Sequence, residues 1–347
     1  MIFATVMISV AALLSGCVKS NDSPAEKELD FENTVFSEYK VFEAPMKSLR
    51  AMAVSADGNY FYTGHIALRS NGVRKLDAAT GEFLWAYHDA SGAQNPDSYR
   101  EYPKGIAVDD RGYVYAMITY TNMTGATLAI LNDSDGTEVS STFVDFGQID
   151  AGANGIAVKR DGDGYYAYFI SNYGPNRIYC YDVTDPSAPV LNTEFGADGY
   201  VSLARKTGVA DADANCIAVA DNGDIYVTIK LAAGSKADSV GRFSCDGRTF
   251  EKVIDCDEAY GISIAEGYIF VSTYEGEMSA VKIYKLSDYS LAATLAADVE
   301  GHSHYSQVLF SGSRIYAADQ SYQTGATAEE LGSRILVSGE IGEKLHK

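Results

Sequence analysis

Positive charge is scarce in this chain. It has 27 Lys and Arg against 47 Asp and Glu, which gives a formal net charge of −20. An acidic surface repels phosphate backbones, and no stripe of Lys or Arg offsets that repulsion, so a nucleic-acid partner is excluded. Solvation is the simplest role for so many carboxylates.

Cysteine and proline are also in short supply. The five cysteines show no CxxC spacing, which excludes the usual zinc and redox motifs. Cys180 and Cys216 lie in apolar strand patterns that predict buried thiols, and a Cys245–Cys256 bridge is left open. Seven prolines beside 32 glycines and 25 tyrosines are typical of an all-β protein.

The N-terminus carries the one extended apolar segment. Residues 1–16 have no charge but fall short of the about 20 residues of a membrane-spanning helix, so they are predicted to be a signal peptide. The following Leu14-Ser15-Gly16-Cys17 resembles the lipobox of bacterial lipoproteins, although the usual Lys or Arg before the apolar run is absent. The resemblance implies lipid attachment at Cys17 and a membrane-anchored location in the cell envelope, at the outer membrane.

A polar segment follows the lipobox. Residues 18–33 have almost no apolar periodicity, which predicts a flexible tether. The expected organisation is therefore a signal peptide over residues 1–16, a lipidated cysteine and tether over 17–33, and a folded domain over 34–347.

The folded domain repeats one phrase six times: a short apolar strand, a tight turn with glycine, and a second strand rich in aromatics. The copies begin at Ala51, Gly105, Gly155, Cys216, Gly261 and Gln307. They lie roughly 45–60 residues apart, the length of a four-stranded propeller blade with loop insertions. The sequence therefore predicts an all-β fold, a six-bladed β-propeller of four-stranded antiparallel blades.

A propeller has to close its ring, because open terminal blades would expose sheet edges. Residues 35–42 have strand character and are one candidate for the outer strand of blade six. Residues 343–346 are the competing candidate, and the sequence leaves the choice between them open.

The repeated Gly-Ile-Ala-Val phrase, seen at Gly105 and Gly155, resembles NHL-type propeller repeats over most of residues 48–337. The segment from Tyr181 to Pro189 also resembles the turn of the LVIVD propeller repeat. Both resemblances imply a fold and not an activity, because propellers host many unrelated functions.

The two faces of the predicted propeller differ in their loops. Turns between first and second strands are tight, as at residues 55–58, 109–112, 220–223 and 265–267. Long connections are expected on the opposite face, at residues 64–72, 91–104, 120–127, 200–215, 230–239, 273–280, 300–306 and 319–333. Long loops commonly carry binding residues, so this loop face is the predicted working face.

Tyrosines are concentrated in the same connections. Four are predicted to begin loops after second strands: Tyr120, Tyr173, Tyr274 and Tyr322. Five more precede first strands: Tyr99, Tyr102, Tyr200, Tyr260 and Tyr305. Tyrosine has an apolar face and a polar tip that suit glycans and extended peptides, but the same rings can simply cap the blade edges.

The residue before each inner strand is predicted to face the mouth of the central channel. These six polar residues are Arg50, Lys104, Asn154, Asn215, Tyr260 and Ser306. The phrase at Asn154 is similar to that of gluconolactonase-type propellers, a resemblance that implies an asparagine ligand to a divalent metal. At the positions of Asn215 and Arg50, that family has an aspartate and a glutamate. The charges in this chain therefore disfavour a dication, and no cofactor is predicted.

The two cations at the mouth instead suggest an anion site for a carboxylate, unless they pair with local acids such as Glu101. His302 and His304 are weak candidates for a transition-metal site. The Asp-rich turns beginning at Asp133 and Asp161 lack the distal Glu of a calcium loop and are predicted to be hairpin turns, so calcium is not supported by a complete motif.

Three functions follow. The first is a non-enzymatic lipoprotein, anchored to the membrane by its N-terminal lipid, that binds a glycan, peptide or envelope protein through the Tyr-rich loop face. The second is a lactonase-like or lyase-like enzyme with a degraded metal site. The third is a structural subunit that docks through the same face.

Overall fold

The computed structural model describes residues 28–41, 48–66, 72–88, 101–120, 123–232, 236–275, 278–296, 304–320 and 333–344. The expectations for residues 1–27, including Cys17, lie outside the described residues, as do those for Tyr99, His302 and Tyr322. In the described part of the chain, no helix is long and apolar enough to cross a bilayer.

Strands dominate the described structure. β1 (Phe36–Val41) precedes blade one, which contains β2 (Leu49–Val54), β3 (Tyr60–His65), β4 (Gly72–Asp77) and β5 (Phe83–Tyr87). Blade two contains β6 (Glu101–Val108), β7 (Tyr113–Tyr120), β8 (Gly125–Asn132) and β9 (Glu138–Asp145). Blade three contains β10 (Gly152–Asp161), β11 (Gly164–Asn172), β12 (Arg177–Asp182), β13 (Val190–Leu191) and β14 (Tyr200–Ser202), and is followed by α1 (Leu203–Thr207).

The second half repeats the pattern. Blade four contains β15 (Asp213–Val219), β16 (Ile225–Lys230), β17 (Ser239–Phe243) and β18 (Phe250–Asp255). Blade five contains β19 (Ala259–Ala265), β20 (Tyr268–Glu275), β21 (Met278–Lys285) and β22 (Leu291–Ala296), and blade six adds β23 (Tyr305–Ser311), β24 (Arg314–Asp319) and β25 (Arg334–Ser338). Over the described ranges these strands form six antiparallel sheets, so the predicted six-bladed propeller is confirmed.

Blade six is closed by the N-terminal strand. Its sheet order is β1-β25-β24-β23, so β1 is the outer strand, and the N-terminal candidate is the one that closes the blade. Of the competing segment, Glu343 forms an isolated bridge with Leu29. The two ends of the described chain are therefore hydrogen-bonded to each other.

The segment before β1 is packed on the propeller. Leu29 is buried, and its backbone N–H donates to the hydroxyl of Tyr268 at 3.2 Å. The ring of Phe31 meets that of Tyr268 edge-on, with centroids 5.1 Å apart. Apolar contacts to blade five therefore hold this segment at Leu29 and Phe31.

The core lies between blades. In the described residues, six apolar clusters form, one between each neighbouring pair of blades. The cluster that closes the ring joins Leu49 and Phe61 of blade one to Tyr316 and Ile335 of blade six. Alternating side chains along each strand thus face two neighbours, which explains the period-2 pattern in the sequence.

Glycine in the repeated phrase allows the inner strands to approach. A Cβ on Gly105 would lie 2.7 Å from the backbone of Gly155 in the next blade. A Cβ on Gly261 would lie 2.7 Å from the Cα of Gln307. The phrase therefore begins with glycine where backbones of adjacent blades touch.

Several details differ from the sequence expectations. The connection at residues 273–280 is short, because β20 and β21 stay paired as far as Glu275 and Met278. Cys180 and Cys216 are buried thiols, as predicted, and Cys256 is buried as well. Blade three has only a two-residue outer strand, and its long connection to blade four contains α1.

Asp133 fastens blade one to blade two. Its carboxylate accepts from the amine of Lys75 at 2.6 Å and from the hydroxyl of Tyr62, and its backbone carbonyl accepts from the indole N–H of Trp85 at 2.8 Å. Lys75 is only 6% exposed, so the carboxylate neutralises a buried cation. The Asp-rich turn at this position is therefore a link between blades.

Asp133→Asn removes that charge and leaves Lys75 buried without its counterion. We expect the free energy of unfolding to fall by roughly 2 kcal/mol, at the lower end for a buried pair because Asp133 is partly exposed. Urea denaturation measures this, with the exposed hairpin substitution Asp163→Asn as a control. Equal stability of the two variants would contradict the assignment.

Candidate functional site

The channel mouth is built from β-bulges. The pairing of each inner strand with its neighbour shifts register at or beside the predicted mouth residue, for example between Leu49 and Ala51 and between Pro103 and Gly105. The same shift occurs beside Asn154, Asn215, Tyr260 and Ser306. A bulge leaves one residue unpaired and re-aims its side chain, so the shifts account for the orientation of these residues towards the axis.

The mouth residues therefore lie within the inner strands, not before them. Each strand begins two to four residues earlier than the sequence pattern indicated, as in β6, which starts at Glu101. One cavity on the axis is lined by Arg50, Lys104, Asn215 and Ser306, together with the buried thiol of Cys216. The structure thus brings the predicted mouth residues together.

Arg50 is the centre of this group. Its Nη2 donates to Oδ1 of Asn154 at 3.5 Å, and its guanidinium carbon lies 4.4 Å from the ring centroid of Tyr260. Asn154 itself is only 3% exposed. Both partners of Arg50, an amide oxygen and an aromatic ring, are uncharged. They stabilise the positive charge of Arg50 but do not neutralise it.

Lys104 is the second cation. Its amine lies 5.0 Å from the ring centroid of Tyr173, and Arg50 is close enough for the two charges to repel. In the part of the chain that the structure describes, neither Arg50 nor Lys104 forms an ion pair with a carboxylate. Glu101, the expected local partner, contacts Nδ1 of His88 at 2.5 Å instead.

The pKa values reflect this arrangement. Burial, and secondarily the charge of Arg50, lowers the pKa of Lys104 from 10.5 to about 8, although Asp213 opposes the shift. Burial lowers the pKa of Arg50 to about 10, against the opposing influence of Tyr173 and Cys216. Burial raises the pKa of Asp213, a residue of β15 that the sequence analysis did not single out.

The remaining mouth residues have structural roles. The hydroxyl of Ser306 donates to the carbonyl of Leu49 at 2.7 Å and so joins blade six to blade one. The side-chain amide of Asn215 donates to the carbonyl of Ala259 at 3.2 Å and joins blade four to blade five. The charge of the mouth therefore comes from Arg50 and Lys104.

His304 lies beside the mouth. Its ring meets that of Tyr260 edge-on, with centroids 4.7 Å apart. Burial, followed by the charge of Arg50, lowers the pKa of His304 from 6.5 to about 4, so the ring is neutral at pH 7. Within the described residues, no group of three His, Cys, Asp or Glu could hold a metal ion.

The mouth residues do not fit a divalent metal. The amide oxygen of Asn154, the atom that would ligate it, already accepts from the guanidinium of Arg50. A dication beside this guanidinium would be repelled by several kcal/mol, since unit like charges about 4 Å apart repel by about 4 kcal/mol at an effective dielectric near 20. The charges of the mouth therefore give no basis for a catalytic step through a metal.

The tyrosines predicted for the working face lie in different environments. Tyr305 is fully buried, with its ring 5.9 Å from that of Phe36, so it is a core residue and its assignment to the working face is wrong. Tyr274 belongs to β20 and not to a loop, and Tyr120 ends β7. Tyr102 is the second residue of β6, and Tyr200 begins β14.

Two of these tyrosines each contact a basic residue. Tyr200 lies under the guanidinium of Arg177, 3.9 Å from its carbon, away from the mouth cations. Tyr173 is 66% exposed and contacts Lys104. Of the aromatic candidates that the structure describes, Tyr260 contacts Arg50 and Tyr173 contacts Lys104.

The fold is shared with solved structures of low sequence identity. No protein-family model and no curated protein sequence matches this chain. A luciferin-regenerating enzyme superposes with a TM-score of 0.55 at 11% identity, over 88% of this chain and 96% of that one. Regucalcin, a calcium-binding protein from Agrobacterium tumefaciens, gives a TM-score of 0.54 at 12% identity, over 90% and 97%.

A third neighbour is the PQQ-bound aldose sugar dehydrogenase from Streptomyces coelicolor, with a TM-score of 0.53 at 16% identity over 88% of this chain and 98% of that one. These similarities define the protein as a six-bladed β-propeller with regucalcin-like structural neighbours. At such identities they establish the fold alone.

Lys104→Met tests whether the cationic mouth lowers stability. Folding lowers the pKa of Lys104 from 10.5 to about 8, so below pH 8 the folded protein carries an unfavourable charge. This loss of stability disappears as the pH rises from about 8 to 10.5, the pKa of the unfolded state. We expect the variant to be more stable than the wild type at pH 7, by roughly 1–3 kcal/mol, with the difference shrinking by pH 10.

Urea denaturation at both pH values measures the effect. The control is Lys252→Met, which removes an exposed lysine paired with Asp255 at 2.7 Å. A destabilising effect of Lys104→Met at pH 7 would mean that the amine contributes to the fold.

Proposed function

We propose that this protein is a non-enzymatic binding module whose channel mouth holds an anionic group of its ligand. The observation that carries the proposal is that two cations, Arg50 and Lys104, line one cavity. Among the described residues, no carboxylate forms an ion pair with either of them. Two adjacent cations destabilise the folded state unless an anion neutralises them.

A carboxylate fits this mouth best. The planar guanidinium of Arg50 offers the fork of N–H donors that binds a carboxylate through two hydrogen bonds, and the amine of Lys104 adds a second charge. The amide oxygen of Asn154 accepts from Nη2 of Arg50 and so helps to orient the guanidinium. An acidic glycan and an acidic peptide both present this group.

The charge of the whole protein adds selectivity. A net charge of −20 repels polyanions at long range, whereas the two mouth cations act at short range. The combination favours a ligand with one locally presented anionic group over a densely charged polymer.

The enzymatic alternative has less support. Several structural neighbours are enzymes, but their similarity extends only to the fold. A lactonase-like reaction of the family that the sequence resembles uses a divalent metal, and the contact between Arg50 and Asn154 disfavours one. Calcium and other metals are accordingly not part of the proposal.

Anion binding should raise the melting temperature, because a ligand that binds only the folded state stabilises it. We expect sodium acetate and sodium glucuronate to raise the melting temperature relative to sodium chloride at equal ionic strength. Arg50→Gln and Lys104→Met should each abolish the increase, and Lys252→Gln, which alters a distant exposed lysine, should retain it. An equal response in all variants would refute a site at the channel mouth.

The proposed cellular context is a lipoprotein with NHL-type repeats, anchored at the outer membrane through Cys17, with a signal peptide over residues 1–16. The sequence Leu14-Ser15-Gly16-Cys17 supports this address. Expression in a bacterial host with an alkyne-labelled fatty acid should label the wild type and leave Cys17→Ser unlabelled. Label on both proteins would contradict attachment at this residue.

A further inference from the structure

An exposed apolar ledge lies beside the channel mouth. It consists of Met123, Ile149 and Tyr173, which are 45%, 65% and 66% exposed. These residues come from the turn before β8, the connection between blades two and three, and the turn after β11. Exposed apolar side chains grouped beside a polar site commonly belong to a binding surface.

Two hydrogen bonds to backbone carbonyls hold the three segments together. The side-chain amide of Gln148 donates to the carbonyl of Tyr173 at 3.2 Å, and the N–H of Asp150 donates to the carbonyl of Met123 at 2.9 Å. Tyr173 has a φ angle of 56°, in the left-handed region that bulky side chains rarely adopt. Such strain is commonly retained at functional positions.

The ledge is continuous with the cationic pair. The amine of Lys104 lies 5.0 Å from the ring centroid of Tyr173. A ligand that places an anionic group at the mouth would therefore extend its next atoms over Tyr173.

We propose that the ligand is a carboxylated sugar, a uronic acid residue of an otherwise neutral glycan, with its carboxylate on Arg50 and Lys104 and its ring on the Tyr173 ledge. This inference rests on the proposed anion-binding function. In a uronic acid the carboxylate is bonded directly to the ring, so one rigid unit covers both adjacent surfaces. An acidic amino acid carries its carboxylate on a flexible chain without a ring to stack on tyrosine.

Titration with small probes separates the two surfaces. The probes are methyl β-D-glucuronide, its neutral counterpart methyl β-D-glucoside, sodium acetate and N-acetylglutamate, each followed by ligand-observed NMR. For the wild type we expect the glucuronide to bind more tightly than acetate or N-acetylglutamate, and the glucoside to bind most weakly.

The informative variant is Tyr173→Asn, because asparagine tolerates the left-handed backbone that tyrosine adopts here. We expect about a tenfold loss of affinity for the glucuronide, the size of one stacking contact, and a smaller loss for acetate, which has no ring to stack on Tyr173. Tyr173→Phe should retain binding. Phe83→Ala, which removes a 52% exposed ring on the outer strand of blade one, serves as the matched control.

The outcomes distinguish the inference from the function on which it rests. Failure of the wild type to bind any of the carboxylates would overturn the anion site itself. Acetate binding that Arg50→Gln abolishes, combined with unchanged glucuronide affinity in Tyr173→Asn, would retain the anion site and refute the sugar ledge. Tighter binding of N-acetylglutamate than of the glucuronide would assign the mouth to an acidic peptide instead.

Discussion

The structure depends on one constraint, the β-bulge that interrupts each inner strand where six blades converge. Regular pairing would direct alternate side chains into the packed space between blades, and the bulge instead frees one residue per blade to face the axis. Ser306 and Asn215 use this freedom to hydrogen-bond across blade boundaries. Arg50 and Lys104 occupy equivalent positions but bring two like charges together. The proposed anion site follows from this difference in charge between residues at equivalent positions of the ring.

The rest of the fold offsets the unfavourable charges. Six apolar clusters between blades, the closure of blade six by β1, and the contact of Leu29 with blade five hold the ring together. Polar links such as the one at Asp133 fix neighbouring blades at their outer edges. A scaffold fastened at both its core and its rim tolerates a locally destabilising site, which is the usual relation between stability and function.

The internal repeats made the fold predictable from the sequence. Contacts between residues far apart in the chain could not be predicted in the same way. Spacing of the glycine phrase indicated the number of blades, and alignment of its copies identified the six mouth residues. A bulge adds one residue without changing the local pattern, so the starts of the inner strands were misplaced. The burial of Tyr305 and the docking of Phe31 depend on partners far along the chain, Phe36 and Tyr268. The exposed Met123 and Ile149 had no periodicity that would mark them as neighbours of Tyr173.

The central claim is that the folded protein keeps Lys104 in a cationic site that an anion can neutralise. Titration of the lysine side chains by ¹³C NMR, with reductively methylated amines, tests it directly. The expected result is one amine that titrates near pH 8, that disappears in Lys104→Met, and whose pKa rises when a carboxylate is added. Titration of every lysine near its ordinary value, with no response to the carboxylate, would contradict it.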